Sequence, residues 1–158
     1  MSTPNAWIIA AAIVRDGDRI LLLEEDRLGI RRLNTPGGRV RSGERPADTA
    51  IRETKEETGL DIRITGLAAV IEGTWADGAN FARFVFEAKK TGGVERAEKT
   101  AKIHWVLPEH VLASNALPVP IIAIEKEALQ EYVRARKTTT AYFYTYDERG
   151  EWKKDSCF

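Results

Sequence analysis

Between Arg52 and Gly59 the chain reads Arg-Glu-Thr-Lys-Glu-Glu-Thr-Gly, and no other segment constrains the fold so tightly. Glu53, Glu56 and Glu57 stand at i, i+3 and i+4. An α-helix turns about 100° per residue, so all three project from one arc. Carboxylates at these spacings repel one another and destabilise an isolated helix. A chain that keeps them there needs a compensating cation, and a hard divalent ion that prefers oxygen ligands suits the role. Ala47, Ala50, Ile51 and Thr54, at i, i+3, i+4 and i+7, predict a buried stripe on the adjoining face. Pro46 fits the first helical position, Asp48 fits the positive end of the helix dipole, and Gly59 fits the residue that ends the helix. One side therefore packs on a core while the next side offers acids.

Upstream, Thr35-Pro36-Gly37-Gly38 reads as a tight loop, because glycine permits positive φ and close backbone approach. A carbonyl there, of Gly37 or Gly38, can add a further oxygen ligand. Glu44 follows in a second turn, Ser42-Gly43-Glu44. Arg52 lies within about 60° of Glu56 on the helical wheel, near enough to fix that carboxylate. Taken alone, Lys55-Glu56-Glu57-Thr58-Gly59 describes a solvated helix end better than a metal site. The spacing of the whole constellation carries the metal-site reading.

That constellation is Gly38, five residues, Glu44, seven residues, Arg52-Glu53, then Glu56-Glu57 and Gly59-Leu60. It resembles the signature of the Nudix (MutT-like) hydrolase family, G-x5-E-x7-R-E-U-x-E-E-x-G-U, where U is a bulky apolar residue. Every fixed position is in register. Thr54 occupies one U position on the core side of the helix, so the departure concerns packing and not chemistry. The resemblance implies an α+β fold, the Nudix α/β/α sandwich with a mixed β-sheet. It implies metal-dependent hydrolysis of a phosphoanhydride bond in a nucleoside diphosphate derivative. In that reading Glu53, Glu56 and Glu57 bind Mg²⁺ or Mn²⁺ with the carbonyl of Gly37 or Gly38. Arg52 orients the glutamates, and Glu44 acts behind them or through a bound water. Glu53 is the first choice as general base. Glu98 is the alternative, although a solvated charged loop also accounts for it.

A nucleobase needs a stacking surface and a polar edge reader. Trp75 and Phe81 are the aromatic candidates and Asn115 the edge reader. Arg32, clustered with Arg27 and Arg31, is a candidate for holding phosphates. Among substrates a nucleoside triphosphate leads, with a sugar nucleotide or ADP-ribose next. The downstream proline and tyrosine associated with ADP-ribose and dinucleoside polyphosphate specialists are replaced by Trp75 and Asp77. From a different class, a nucleotide-sensing domain without turnover is the competing reading, set back by the intact charged positions of the motif.

The 24 acidic and 24 basic residues leave zero formal charge, so no nucleic-acid backbone is expected as a partner. The apolar run Trp7 to Val14 is far shorter than the roughly 20 residues of a membrane span. No basic segment precedes it, and the single cysteine, Cys157, cannot form an intramolecular disulfide. Both observations predict a cytoplasmic location.

The 158 residues read as one domain, with a core over about 6–136 and an extension over 137–158. Asp16-Gly17 between two apolar runs predicts a hairpin. Its core face is expected to carry Ile8, Ala10, Ile13, Ile20 and Leu22, and Glu25 to Leu33 is expected to be a loop. Strands are expected over Leu60–Ala69, Phe81–Lys89 and Lys102–Leu107. Pro108 to Leu112 is expected to be a helical turn. Pro118 and Pro120 lead into a helix with Ile121, Ile124, Ala128, Leu129 and Tyr132 as its stripe. Thr138 to Tyr146, a turn at Asp147-Glu148-Arg149-Gly150 and Glu151 to Lys154 predict an added β-hairpin. Such a hairpin can cover a sheet edge, form a homodimer contact or close over the active site.

Overall fold

The computed structural model describes residues 6–27, 29–75, 77–135, 140–146 and 152–157. In chain order the strands are β1 (Ala6–Asp16), β2 (Arg19–Arg27), β3 (Ile30–Asn34) and β4 (Gly37–Arg39). Helix α1 (Pro46–Thr58) follows, then β5 (Leu60–Thr74), β6 (Asn80–Gly93) and β7 (Lys102–Val106). Helix α2 (Pro108–Leu112), a 3₁₀ turn at Ser114–Ala116 and α3 (Ala123–Ala135) come next, and β8 (Thr140–Tyr146) and β9 (Trp152–Cys157) close the order. The strands form one mixed sheet ordered β3-β2-β1-β6-β5-β8-β9, with β4 paired to β1 and β7 to β2. β1 and β6 run parallel, and β5 and β6 form a long antiparallel ladder. The expected α/β/α sandwich is present.

Residues 10–14 of β1 are all buried, as are Ile20 to Leu23 of β2. Their alternation does not divide core from solvent; it divides two cores. Ala10, Ala12, Val14, Leu21 and Leu23 join Ala50 and Leu60 in the layer beneath α1. Ile13, Ile20 and Leu22 join Val111, Ile124, Ala128, Leu129 and Tyr132 in the layer beneath α2 and α3. Both faces of the central strands are covered, which is the condition for a near-continuous apolar run. Ile8 departs from expectation at 47% exposed, because it lies near the open end of β1 beyond the helix's cover.

Three expected elements differ. Glu25 to Leu33 is a hairpin and not a loop, with Glu25 opposite Arg32 and Asp26 opposite Arg31. Opposite charges paired across strands stabilise a hairpin that carries no apolar alternation. Gly37-Gly38 lies in β4 beside Ala11 and Ala10 rather than in a positive-φ turn. On α1, Ile51 is 37% exposed, while Thr49, Ala50, Thr54 and Thr58 are buried. The helix is rotated so that its covered arc runs through Ala50 toward Glu53 and Glu57. Thr54 satisfies its hydroxyl on the Ala50 carbonyl at 2.7 Å, so a polar residue sits at this apolar position without an unmet bond.

The proposed tail hairpin is present as β8 and β9, antiparallel to each other, with β8 parallel to β5 over Ala69–Glu72. The strands therefore extend the sheet at the β5 edge; the expected turn at 147–150 lies outside the described residues. No described helix is long and apolar enough to cross a membrane.

Gly59 ends α1 at φ 74°, and an added Cβ would collide with the Val94 carbonyl. The left-handed backbone alone costs a side chain about 1–2 kcal/mol. Gly59→Ala is expected to destabilise the protein by about 2 kcal/mol or more, read by denaturant unfolding; a smaller loss would mean the loop over the helix end gives way.

Candidate active site

The site is built where the last two turns of α1 meet the outer edge of β4. Gly37 approaches β1 so closely that a Cβ would strike Ala10 and Ala11. At Gly38 a Cβ would strike the Glu53 carboxylate. Gly37 is therefore required by contact with the β1 backbone, whereas at Gly38 the clash is with the mobile end of Glu53. The Gly37 N–H donates to Glu57 Oε2 at 2.9 Å. It points away from β1, so in an antiparallel ladder its carbonyl lies on that same outer edge.

Arg52 organises the remaining acids. Its Nε and Nη2 grip the two Glu44 oxygens at 2.8 and 2.9 Å. Its Nη1 reaches Glu53 at 2.6 Å and Glu56 at 3.2 Å. The Arg52 guanidinium holds the Glu44 carboxyl down at about 2. Arg41 adds a looser ion pair to Glu56 at 3.6 Å.

Glu57 has no such partner among the described ion pairs. Burial pushes its carboxyl up to about 8, against a single opposing bond from Gly37, and Glu25, Glu53 and Glu98 add repulsion. Glu98 arrives through its loop: Arg96 N–H donates to the Thr58 carbonyl at 2.8 Å and Glu98 N–H to the Glu57 carbonyl at 2.9 Å. These bonds satisfy carbonyls that a helix end leaves open. They also bring the second candidate base to the end of α1, where its carboxylate pairs with Lys99 at 3.2 Å.

Among the described residues no three acid or imidazole side chains yet surround a point that a metal could occupy. Glu53 and Glu56 lean on Arg52, and Glu57 leans on Gly37. The donor set nevertheless fits a hard cation: carboxylates on one helix arc, one of them half-buried without a counter-charge, beside an outward-facing backbone edge.

A cavity of about 220 Å³ is lined by Glu25, Ile30, Arg32, Asn34 and Ile122. Glu25 links it electrostatically to Glu57. Arg32 thus lines this cavity from an exposed stretch of β3. The aromatic candidates fare differently. Phe81 is 3% exposed and packs in the α3 layer, so its ring is not open to a base. β6 lies between β1 and β5, and a residue facing α3 from there is covered. Trp75 is half-buried with its ring 4.5 Å from that of Phe81. Asn115 is exposed in the 3₁₀ turn, and no described contact joins it to the α1 site.

Comparison with known proteins bears on this geometry. A family profile, the NUDIX domain, matches residues 6–130. The chain belongs to the Nudix family. This Nudix-family chain is 33% identical over 118 residues to the 8-oxo-dGDP phosphatase NUDT18 of Homo sapiens, covering 74% of this chain and 35% of that one. It is 33% identical over 105 residues to a MutT-like protein of Streptomyces ambofaciens, covering 65% of this chain and 64% of that one. The match thus spans less than two thirds of either relative. The crystal structure of a mutator MutT protein from Bacillus halodurans superimposes with a TM-score of 0.76 at 23% identity, covering 94% and 97% of the two chains, and shares the fold.

The missed residues are Arg83 and Glu125, both buried. A signal was present: Glu125 falls within the apolar stripe of α3, next to Ile124 and four residues before Leu129, where an acid needs a buried partner.

The raised Glu57 carboxyl fixes a pH dependence. Between the ordinary value of 4.5 and about 8 the folded state keeps a proton that the unfolded chain has lost. Stability contributed by that proton is present at low pH and declines as pH rises through this window. In EDTA the melting temperature is expected to fall from pH 5 to pH 8, and the fall is expected to be shallower in Glu57→Gln. Equal slopes would show that this carboxyl does not titrate there.

Proposed function

We propose that this chain, acting as a single domain, is a divalent-cation-dependent pyrophosphohydrolase that cleaves a phosphoanhydride bond of a nucleoside triphosphate or a related nucleoside diphosphate derivative. The carrying observation is the half-buried Glu57 carboxylate, facing other acids and a backbone edge, beside Glu53 and Glu56 on one helix arc. Glu53, Glu56 and Glu57 would hold Mg²⁺ or Mn²⁺. The Gly37 carbonyl joins them in preference to that of Gly38, since the Gly37 backbone points toward α1. When bound, the cation supplies charge neutralisation for the phosphates and a more acidic water.

The chain's own residues do the rest. Arg52 stays anchored on Glu44 through two bonds while Glu53 and Glu56 rotate off its third nitrogen. Glu44 is thus a fixed counter-charge behind the site rather than a ligand. Glu53, backed against Gly38, takes the proton from the attacking water; Glu98 is the reserve base at the end of α1. Arg32 and Asn34 offer polar contacts in the cavity beyond Glu25, sized for part of a nucleotide. The human relative's name, an 8-oxo-dGDP phosphatase, supports a nucleoside polyphosphate as substrate.

A panel of nucleoside di- and triphosphates, oxidised purine nucleotides, sugar nucleotides and ADP-ribose, assayed with Mg²⁺ and with Mn²⁺, tests the reading. Release of a nucleoside monophosphate is expected only with metal. Glu53→Gln is expected to lower kcat by about 10²–10⁴-fold. Tight nucleotide binding without phosphate or pyrophosphate release would replace the enzyme by a sensor.

A further inference from the structure

A buried ionic cluster lies on the far side of the glycine segment. Glu125, in the first turn of α3, is 1% exposed. Arg83 reaches it from β6 as an ion pair and is itself 8% exposed. The Glu125 carboxylate accepts the Thr35 N–H at 2.8 Å and the Thr35 hydroxyl at 2.9 Å. Arg83 Nη2 also lies 3.4 Å from both Thr35 Oγ1 and Asn34 Oδ1.

Stability alone is a poor account of this pair. Desolvating two ions is costly, and replacing such a pair by apolar residues of similar volume is often neutral or stabilising. The bonds to Thr35 point to another role. Thr35 opens a segment held residue by residue: its N–H by Glu125 on α3, the Pro36 carbonyl by the Ala12 N–H of β1 at 3.0 Å, and the Gly37 N–H by Glu57 on α1. Of these anchors only the first is a charged pair from outside the motif, and it enters from the opposite layer of the sandwich.

We propose that Glu125 and Arg83 are positioning residues for the metal site. They fix Thr35, and through Pro36 they set where Gly37 presents its N–H to Glu57 and its carbonyl to the cation. This rests on the assignment of Glu53, Glu56, Glu57 and Gly37 to the metal. Groups behind metal ligands typically change metal affinity or activity by about 10–100-fold when altered.

The double variant Glu125→Gln/Arg83→Met removes both charges with little change of volume. It is expected to melt near the wild-type temperature while its Mn²⁺ dissociation constant, measured without nucleotide by electron paramagnetic resonance, rises about 10–100-fold. The Mg²⁺ concentration for half-maximal hydrolysis is expected to rise in parallel. A folded double variant with unchanged Mn²⁺ affinity overturns the proposal. If it does not fold, Thr35→Val, which strands no charge, is read by the same titration: weakened Mn²⁺ binding supports the proposal and unchanged binding overturns it. The wild-type arm separates the two readings. Wild-type protein that neither binds Mn²⁺ nor hydrolyses any nucleotide removes the metal site itself. Wild-type protein that does both, beside variants of equal affinity, removes only the role of Glu125 and Arg83.

Discussion

Repulsion among acids gathered on one turn of helix is the constraint from which the rest of the site follows. Four carboxylates, Glu44, Glu53, Glu56 and Glu57, lie within reach of α1, and one guanidinium serves three of them. Arg52 suits this because its planar fork offers several donors at fixed angles, which a lysine ammonium does not. Glu57 is left outside the fork, and its carboxyl is pushed toward neutrality.

The helix that carries the acids is held along its inner arc and at its C-terminal end. Its covered arc, through Ala50, rests on Ala10 and Ala12 of β1, small residues that permit close packing of helix, β1 and β4. Its end is closed by the loop of Arg96 and Glu98. The strand under it is tied to the opposite layer by Thr35 and Glu125. Placing a reactive group to within a fraction of an ångström requires such support, because small misplacements reduce rates sharply.

Much of this was legible in the letters. The limits of α1, the first hairpin and the stripe of α3 follow from local patterns, since proline, glycine and apolar spacing act within a few residues. The motif named the acids because its spacing is set by helix geometry. Other features depend on what lies across the fold. Ile51 and Ile8 have the right period but fall at the margin of their layers. β3 pairs by charge, so its sequence reads as a loop. Phe81 looks like a stacking platform until the sheet order places it in the core. Glu125 and Arg83 are 42 residues apart, and nothing local marks either as the other's partner.

The pairing of β8 with β5 has a bearing on solubility. An unpaired strand edge is a template for another chain, and natural sheets blunt such edges with charged residues. Ala69 to Glu72 of β5 would offer that template, with Ala69 and Ile71 buried. The hairpin moves the border of the sheet outward to a strand that reads Trp-Lys-Lys-Asp-Ser-Cys, a sequence with the charged residue types that natural sheets place on such borders. The border of the sheet thus falls on a segment outside the family match.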